Sequence, residues 1–88
     1  MNWVPDQSKD WSFTSHVGED MRGMDLSGAD LRRAVLDRAD LEGADLSGAD
    51  LRNASMREAN LMKASLDGAD LRGARMLKAR LGLSNLQG

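Results

Sequence analysis

The segment Asp25-Leu26-Ser27-Gly28-Ala29-Asp30-Leu31-Arg32 recurs letter for letter at residues 45–52. It returns twenty residues further on as Ser65-Leu66-Asp67-Gly68-Ala69-Asp70-Leu71-Arg72. Inside this long period runs a shorter one of five residues. Leu or Met stands at Met21, Leu26, Leu31, Leu36, Leu41, Leu46, Leu51, Met56, Leu61, Leu66, Leu71, Met76, Leu81 and Leu86. Two places before them, every residue from Ala29 to Ala79 in the same five-residue step is alanine.

Neither a helix nor a flat strand can use a five-residue period. At about 100° per residue, a helix would advance the apolar position by ~140° per repeat and scatter leucine around its circumference. A long strand alternates faces with period two, so an odd repeat would send successive leucines to opposite sides. The chain must therefore turn at every repeat. Within one repeat Ala and Leu are two apart and share a face, so each short extended piece points that pair inward. The twenty-residue recurrence divides into four such pieces, which makes a four-sided coil. On this register Gly28, Gly48, Gly68 and Gly88 stack at one corner, where a turn residue with positive φ favours glycine. Asp30, Asp50 and Asp70 form one outward ladder, and Arg32, Arg52 and Arg72 form another beside it.

The Ala-Asp-Leu-x-x units at residues 29–33, 39–43, 44–48, 49–53 and 69–73 resemble the pentapeptide-repeat family. The resemblance implies an all-β fold, a right-handed quadrilateral parallel β-helix of about 3.5 coils. At ~4.8 Å between paired strands it would stand about 17 Å tall. Repeat 19–88 is expected to form the β-helix, and residues 1–18 a non-repeat segment at its amino end.

An open solenoid leaves bare backbone and core leucines at its ends, so a cap or a partner is required there. Residues 1–18 contain the only aromatic residues, Trp3, Trp11 and Phe13. They are expected to cap the coil; the alternative is that the aromatics anchor a partner. Towards the carboxyl end Met62, Leu77 and Leu83 occupy outward positions that are polar in other repeats, which marks a candidate interface. Family members often pair through their C-terminal coils, so the resemblance raises the expectation of a homodimer.

Net charge is −2, with nine acids against four bases in residues 19–50 and three acids against seven bases in residues 51–88. Stacked carboxylates about 4.8 Å apart repel by ~0.9 kcal/mol even in water. The neighbouring Arg ladder is expected to offset this through ion pairs within and between coils. That pairing, the near-neutral charge and the scarcity of aromatics argue against direct nucleic-acid binding. The aspartates lack the converging oxygens of a calcium site, so no metal is expected.

With no Cys and a single His, His16, the chain offers no catalytic pair, and neither an enzyme activity nor a cofactor is expected. No apolar run approaches a membrane span, so no membrane insertion is expected, and the absence of Cys fits a cytoplasmic address. The reading is a bacterial, non-enzymatic interaction or scaffold module that docks through its ends, on itself or in a larger assembly. The alternative implied by the resemblance is a DNA-mimicking protein that binds DNA gyrase or another topoisomerase.

Overall fold

In the computed structural model, which describes residues 9–82, the chain winds as a right-handed, four-sided parallel β-helix. Each side is a stack of three-residue pieces joined by parallel bridges between residues twenty apart. Face 1 comprises residues 10–12, 30–32, 50–52 and 70–72, bridged through Asp10, Asp30, Asp50 and Asp70. Face 2 comprises 15–17, 35–37, 55–57 and 75–77, bridged through Ser15, Val35, Ser55 and Arg75. Face 3 comprises 20–22, 40–42, 60–62 and 80–82, and face 4 comprises 25–27, 45–47 and 65–67.

The corners are tight turns closed by one hydrogen bond each, as where the Ala49 N–H donates to the Leu46 carbonyl at 3.0 Å. The second residue after each inward side chain lies at positive φ, as in a type II turn. Gly28 (67°), Gly48 (68°) and Gly68 (68°) fill one corner as expected, while Gly88 is outside the described residues. The same conformation recurs at Phe13, Arg33, Arg38, Asn53, Glu58, Lys63 and Lys78. A side chain at such a position costs about 1–2 kcal/mol. The ladder on either side of the corner imposes the turn regardless of what occupies it.

The core is a stack of inward residues only as wide as one coil. Met21, Leu26, Leu31, Leu36, Leu41, Leu46, Leu51, Met56 and Leu61 are fully buried, with Ala29 through Ala64 sealing the spaces between them. Alanine fits there, where the four sides of a coil converge; Thr14, Glu19 and Met24 hold the same position in the first described coil. Leu71, Met76 and Leu81, in the last described coil, are only partly buried against this core.

The expected boundary at residue 18 is corrected. Asp10 already bridges to Asp30 and Ser15 to Val35, so the coil is formed well before residue 19. Trp11 and His16 take the inward places held elsewhere by Leu or Met, with exposures of 4% and 7%, and their rings lie 5.1 Å apart. Trp11 is therefore part of the core, which excludes it as a surface anchor. It sits inward on face 1 in the first described coil, one coil step before Leu31. Trp3 lies outside the described residues.

Candidate interaction surface

The outward ladders follow from an accounting of backbone donors. In the repeat around Leu31, the Asp30 N–H donates to the Lys9 carbonyl in the coil before, at 2.8 Å. The Leu31 and Arg33 N–H groups donate to Asp50 and Arg52 in the coil after, at 2.8 and 3.0 Å, and the Ala34 N–H closes the turn. The Arg32 N–H is left over, and the Asp30 carboxylate accepts it at 3.2 Å. Asp50 does the same for Arg52, Asp70 for Arg72, Asp20 for Arg22 and Asp45 for Ser47. The Asp of Ala-Asp-Leu-x-x is thus a turn cap. The shared amide acceptor also explains Asn60, whose Oδ1 accepts the Met62 N–H at 3.1 Å.

The Arg ladder adds charge to this cap. Arg32, Arg52 and Arg72 donate Nη2 to Asp30, Asp50 and Asp70 of their own coil at 2.7, 2.7 and 2.6 Å. Arg32 and Arg52 also reach the aspartate one coil on, Asp50 and Asp70, at 3.9 and 3.8 Å. The pairing expected for face 1 is therefore present within and between coils. The guanidinium of Arg72 and the Arg72 N–H bring the Asp70 carboxyl from its ordinary 3.8 to about 2, and Asp30 and Asp50 are held low in the same way. Arg22 does this for Asp20, and the Ser27 hydroxyl, with Lys9, for Asp25.

These two roles separate by substitution. Asp50→Asn keeps an oxygen for the Arg52 N–H and is expected to be nearly neutral at high salt. Asp50→Ala removes the acceptor and is expected to cost about 1 kcal/mol more at any salt concentration. Denaturation of both variants at low and high NaCl checks this; equal losses for the two would exclude the cap role.

Face 2 is built differently. Among the described residues, its bridge column holds no aspartate, and the exposed large apolar side chains all lie on this face or its corner with face 1. They are Phe13 (70%), Val17 (43%) and Leu77 (69%). Several cations there enter no ion pair among the described residues: Arg33 at the corner with face 1, Arg57 and Arg75 on the face, and Arg38 and Lys78 at the corner with face 3. Lys63 and Arg80 are the other such cations, away from this face. The Arg33 guanidinium lies over the Phe13 ring at 5.7 Å. Burial would raise the Asp37 carboxyl of this face, yet it stays below its ordinary value because the Ser55 hydroxyl and the Arg57 N–H donate to it at 2.5 and 3.0 Å. Two open hollows flank the corner. One of about 220 Å³ is lined by Phe13, Arg32, Arg33, Arg52 and Asn53, and one of about 340 Å³ by Arg33, Val35, Asn53, Ser55 and Arg75.

The expected C-terminal patch is not assembled as such. Leu77 lies on face 2, whereas Met62 lies on face 3, half-buried beside Gly82, and Leu83 is outside the described residues. Phe13 and Leu77 remain as surface candidates and share a side of the coil. A usable signal for Val17 and Arg75 lay in the twenty-residue period, which places both on the face of Leu77. Among the described residues no group of three or more His, Asp or Glu side chains is arranged to hold a metal ion.

A family model described as pentapeptide repeats matches residues 20–53, 39–76 and 49–88. The chain belongs to the pentapeptide-repeat family. Among solved structures, a pentapeptide-repeat protein from the Arabidopsis thaliana thylakoid lumen is 35% identical, with a TM-score of 0.56 over 88% of this chain and 61% of its own. One from the cyanobacterium Cyanothece 51142 is 26% identical, with a TM-score of 0.40 over 75% of this chain and 55% of that one. HetL from Nostoc sp. strain PCC 7120, described as involved in heterocyst differentiation regulation, is 28% identical, with a TM-score of 0.35 over 88% and 55%. The chain thus spans less than two thirds of these relatives. No curated protein matches it in sequence.

Proposed function

We propose that this pentapeptide-repeat chain is a non-enzymatic, rigid protein-interaction module that docks through face 2. The observation that carries the reading is the gathering of Phe13, Val17 and Leu77 on one side of a coil that laces faces 1 and 3 with Asp–Arg pairs. Exposed apolar side chains concentrated on one face are a feature of docking surfaces. The partly buried Leu71, Met76 and Leu81 support a second contact at the carboxyl end, with another copy or a larger assembly. No helix among the described residues is long and apolar enough to cross a membrane, and a cytoplasmic setting is part of this proposal.

DNA mimicry fits less well. A mimic needs an uncompensated anionic surface, and the carboxylates of face 1 are matched by Arg32, Arg52 and Arg72. Among the described residues face 4 carries Asp25, Asp45 and Asp67 with no Arg ladder beside them, but Asp25 is itself paired with Lys9 at 3.3 Å.

The test is capture of partners from native lysate by the full chain and by a Phe13→Asp/Leu77→Asp variant. Both positions are exposed, so the melting temperature is expected to hold. The expected result is a defined protein retained by the wild type and lost by the variant; undiminished capture would remove face 2 from the mechanism.

A further inference from the structure

Face 2 has a spacing as well as a composition. Val17, Asp37, Arg57 and Leu77 form one column, with an exposed apolar residue at each end. Three coil steps of ~4.8 Å separate those ends by about 14 Å. An extended chain rises ~3.3 Å per residue and returns to the same face every second residue, so its positions i and i+4 stand about 13 Å apart. Between the two apolar ends the surface presents Arg57, with Arg75 beside Leu77 in the next column of the face and Arg33 at the corner with face 1, none of them in an ion pair among the described residues. Two carboxylates lie in this stretch: Asp37, engaged by Ser55 and the Arg57 N–H and held low also by the Arg57 and Arg38 charges, and Glu58, exposed at the corner with face 3 in the same column as Arg38 and Lys78.

From this we infer that face 2 binds an extended segment of a partner protein with the pattern apolar-x-acidic-x-apolar, lying along the coil axis. The two apolar residues rest on Val17 and Leu77. The central carboxylate meets Arg57, with Arg33 and Arg75 across the hollow lined by Val35, Asn53 and Ser55. Complementary charge fixes the segment's register and the apolar ends hold it. A second copy of the chain is the weaker occupant. Among the described residues its acidic side, face 4, offers Ser27, Ser47 and Ser65 and no exposed large apolar side chain to Val17 and Leu77. A nucleic acid is weaker still, because Phe13, the exposed aromatic here, is already stacked by Arg33.

The inference rests on face 2 being a docking face, and its test separates the two. Random 12-residue peptides displayed on phage are selected against the full chain, and an enriched peptide is labelled for fluorescence anisotropy. The expected result is enrichment of apolar-x-acidic-x-apolar and binding that weakens at least tenfold in Arg33→Asn/Arg75→Ser. Each of these replacements is the residue that a neighbouring coil already carries in the same column, so the fold is preserved. Arg22→Ala, on face 3, is expected to change binding less than twofold. Enriched peptides with no excess of acid, or a double variant that binds unchanged, would overturn the acidic segment. If such peptides were still lost on Leu77→Asp, face 2 would stand as a docking face for a different partner. A doubled mass in light scattering that disappears in the double variant, or tighter binding of a 15-residue thymidine oligonucleotide than of any peptide, would also overturn it. No enrichment, together with undiminished lysate capture by Phe13→Asp/Leu77→Asp, would remove both readings.

Discussion

Leu46→Ala is expected to lower the melting temperature by about 10 °C or more, at a cost of about 2–5 kcal/mol. Leu46 is fully buried between Leu26 and Leu66 in the stack behind face 4. Its neighbours cannot close the gap, because both adjoining coils are fixed by backbone ladders. Each inward position is filled once per coil, so no second layer of side chains compensates. The loss is large against a total stability of about 5–15 kcal/mol for a small domain. Leu77→Ala, on the surface, is expected to stay within about 0.5 kcal/mol of the parent. Thermal denaturation followed by circular dichroism measures both, and equal melting temperatures for the two variants would contradict a core carried by single leucines.

Acid is expected to unfold the chain over a narrow range. Asp20, Asp25 and Asp70 fall from 3.8 to about 2, and Asp30, Asp37, Asp45 and Asp50 are also lowered. A carboxyl that is a stronger acid in the folded state holds its proton less tightly there than in the unfolded chain. It therefore contributes stability above the unfolded value, and that contribution disappears as pH falls through the folded one. The melting temperature should be flat from pH 7 to about 5 and fall steeply between about 4 and 2. Salt should soften the part due to Arg and leave the part due to the backbone N–H and Ser hydroxyl donors. A melting temperature at pH 2 equal to that at pH 7 would show that the carboxylate caps contribute nothing.

Both expectations rest on features that differ in how openly the sequence displays them. The four-sided coil is legible because Leu, Ala and the Gly28–Gly48–Gly68 column report one geometry independently. The first coil is hidden because Trp11 and His16 replace Leu, and Thr14 and Glu19 replace Ala, so the apolar pattern breaks while the backbone pattern continues. Asp10, Ser15 and Asp20 at five-residue spacing, with Gly18 and Gly23, were the remaining signal. The role of Asp as a turn cap is not visible from charge alone, since it depends on which N–H the ladders leave over. Met62 and Leu77 look like neighbours along the chain, but fifteen residues is three quarters of a coil and places them on different faces.

That last relation bears on how such a surface persists. Face 2 draws Phe13 and Val17 from the first described coil and Arg75 and Leu77 from the last, so it exists only while the coils between keep their angular phase. A duplication of twenty residues, such as the identity of 25–32 and 45–52 suggests, lengthens the rod and keeps every side chain on its own meridian. Insertion of a single Ala-Asp-Leu-x-x unit would satisfy the same backbone donors and fill the same core. It would also rotate everything beyond it by a quarter turn, carrying Arg75 and Leu77 away from Val17. The fold tolerates steps of five, whereas the surface tolerates only steps of twenty.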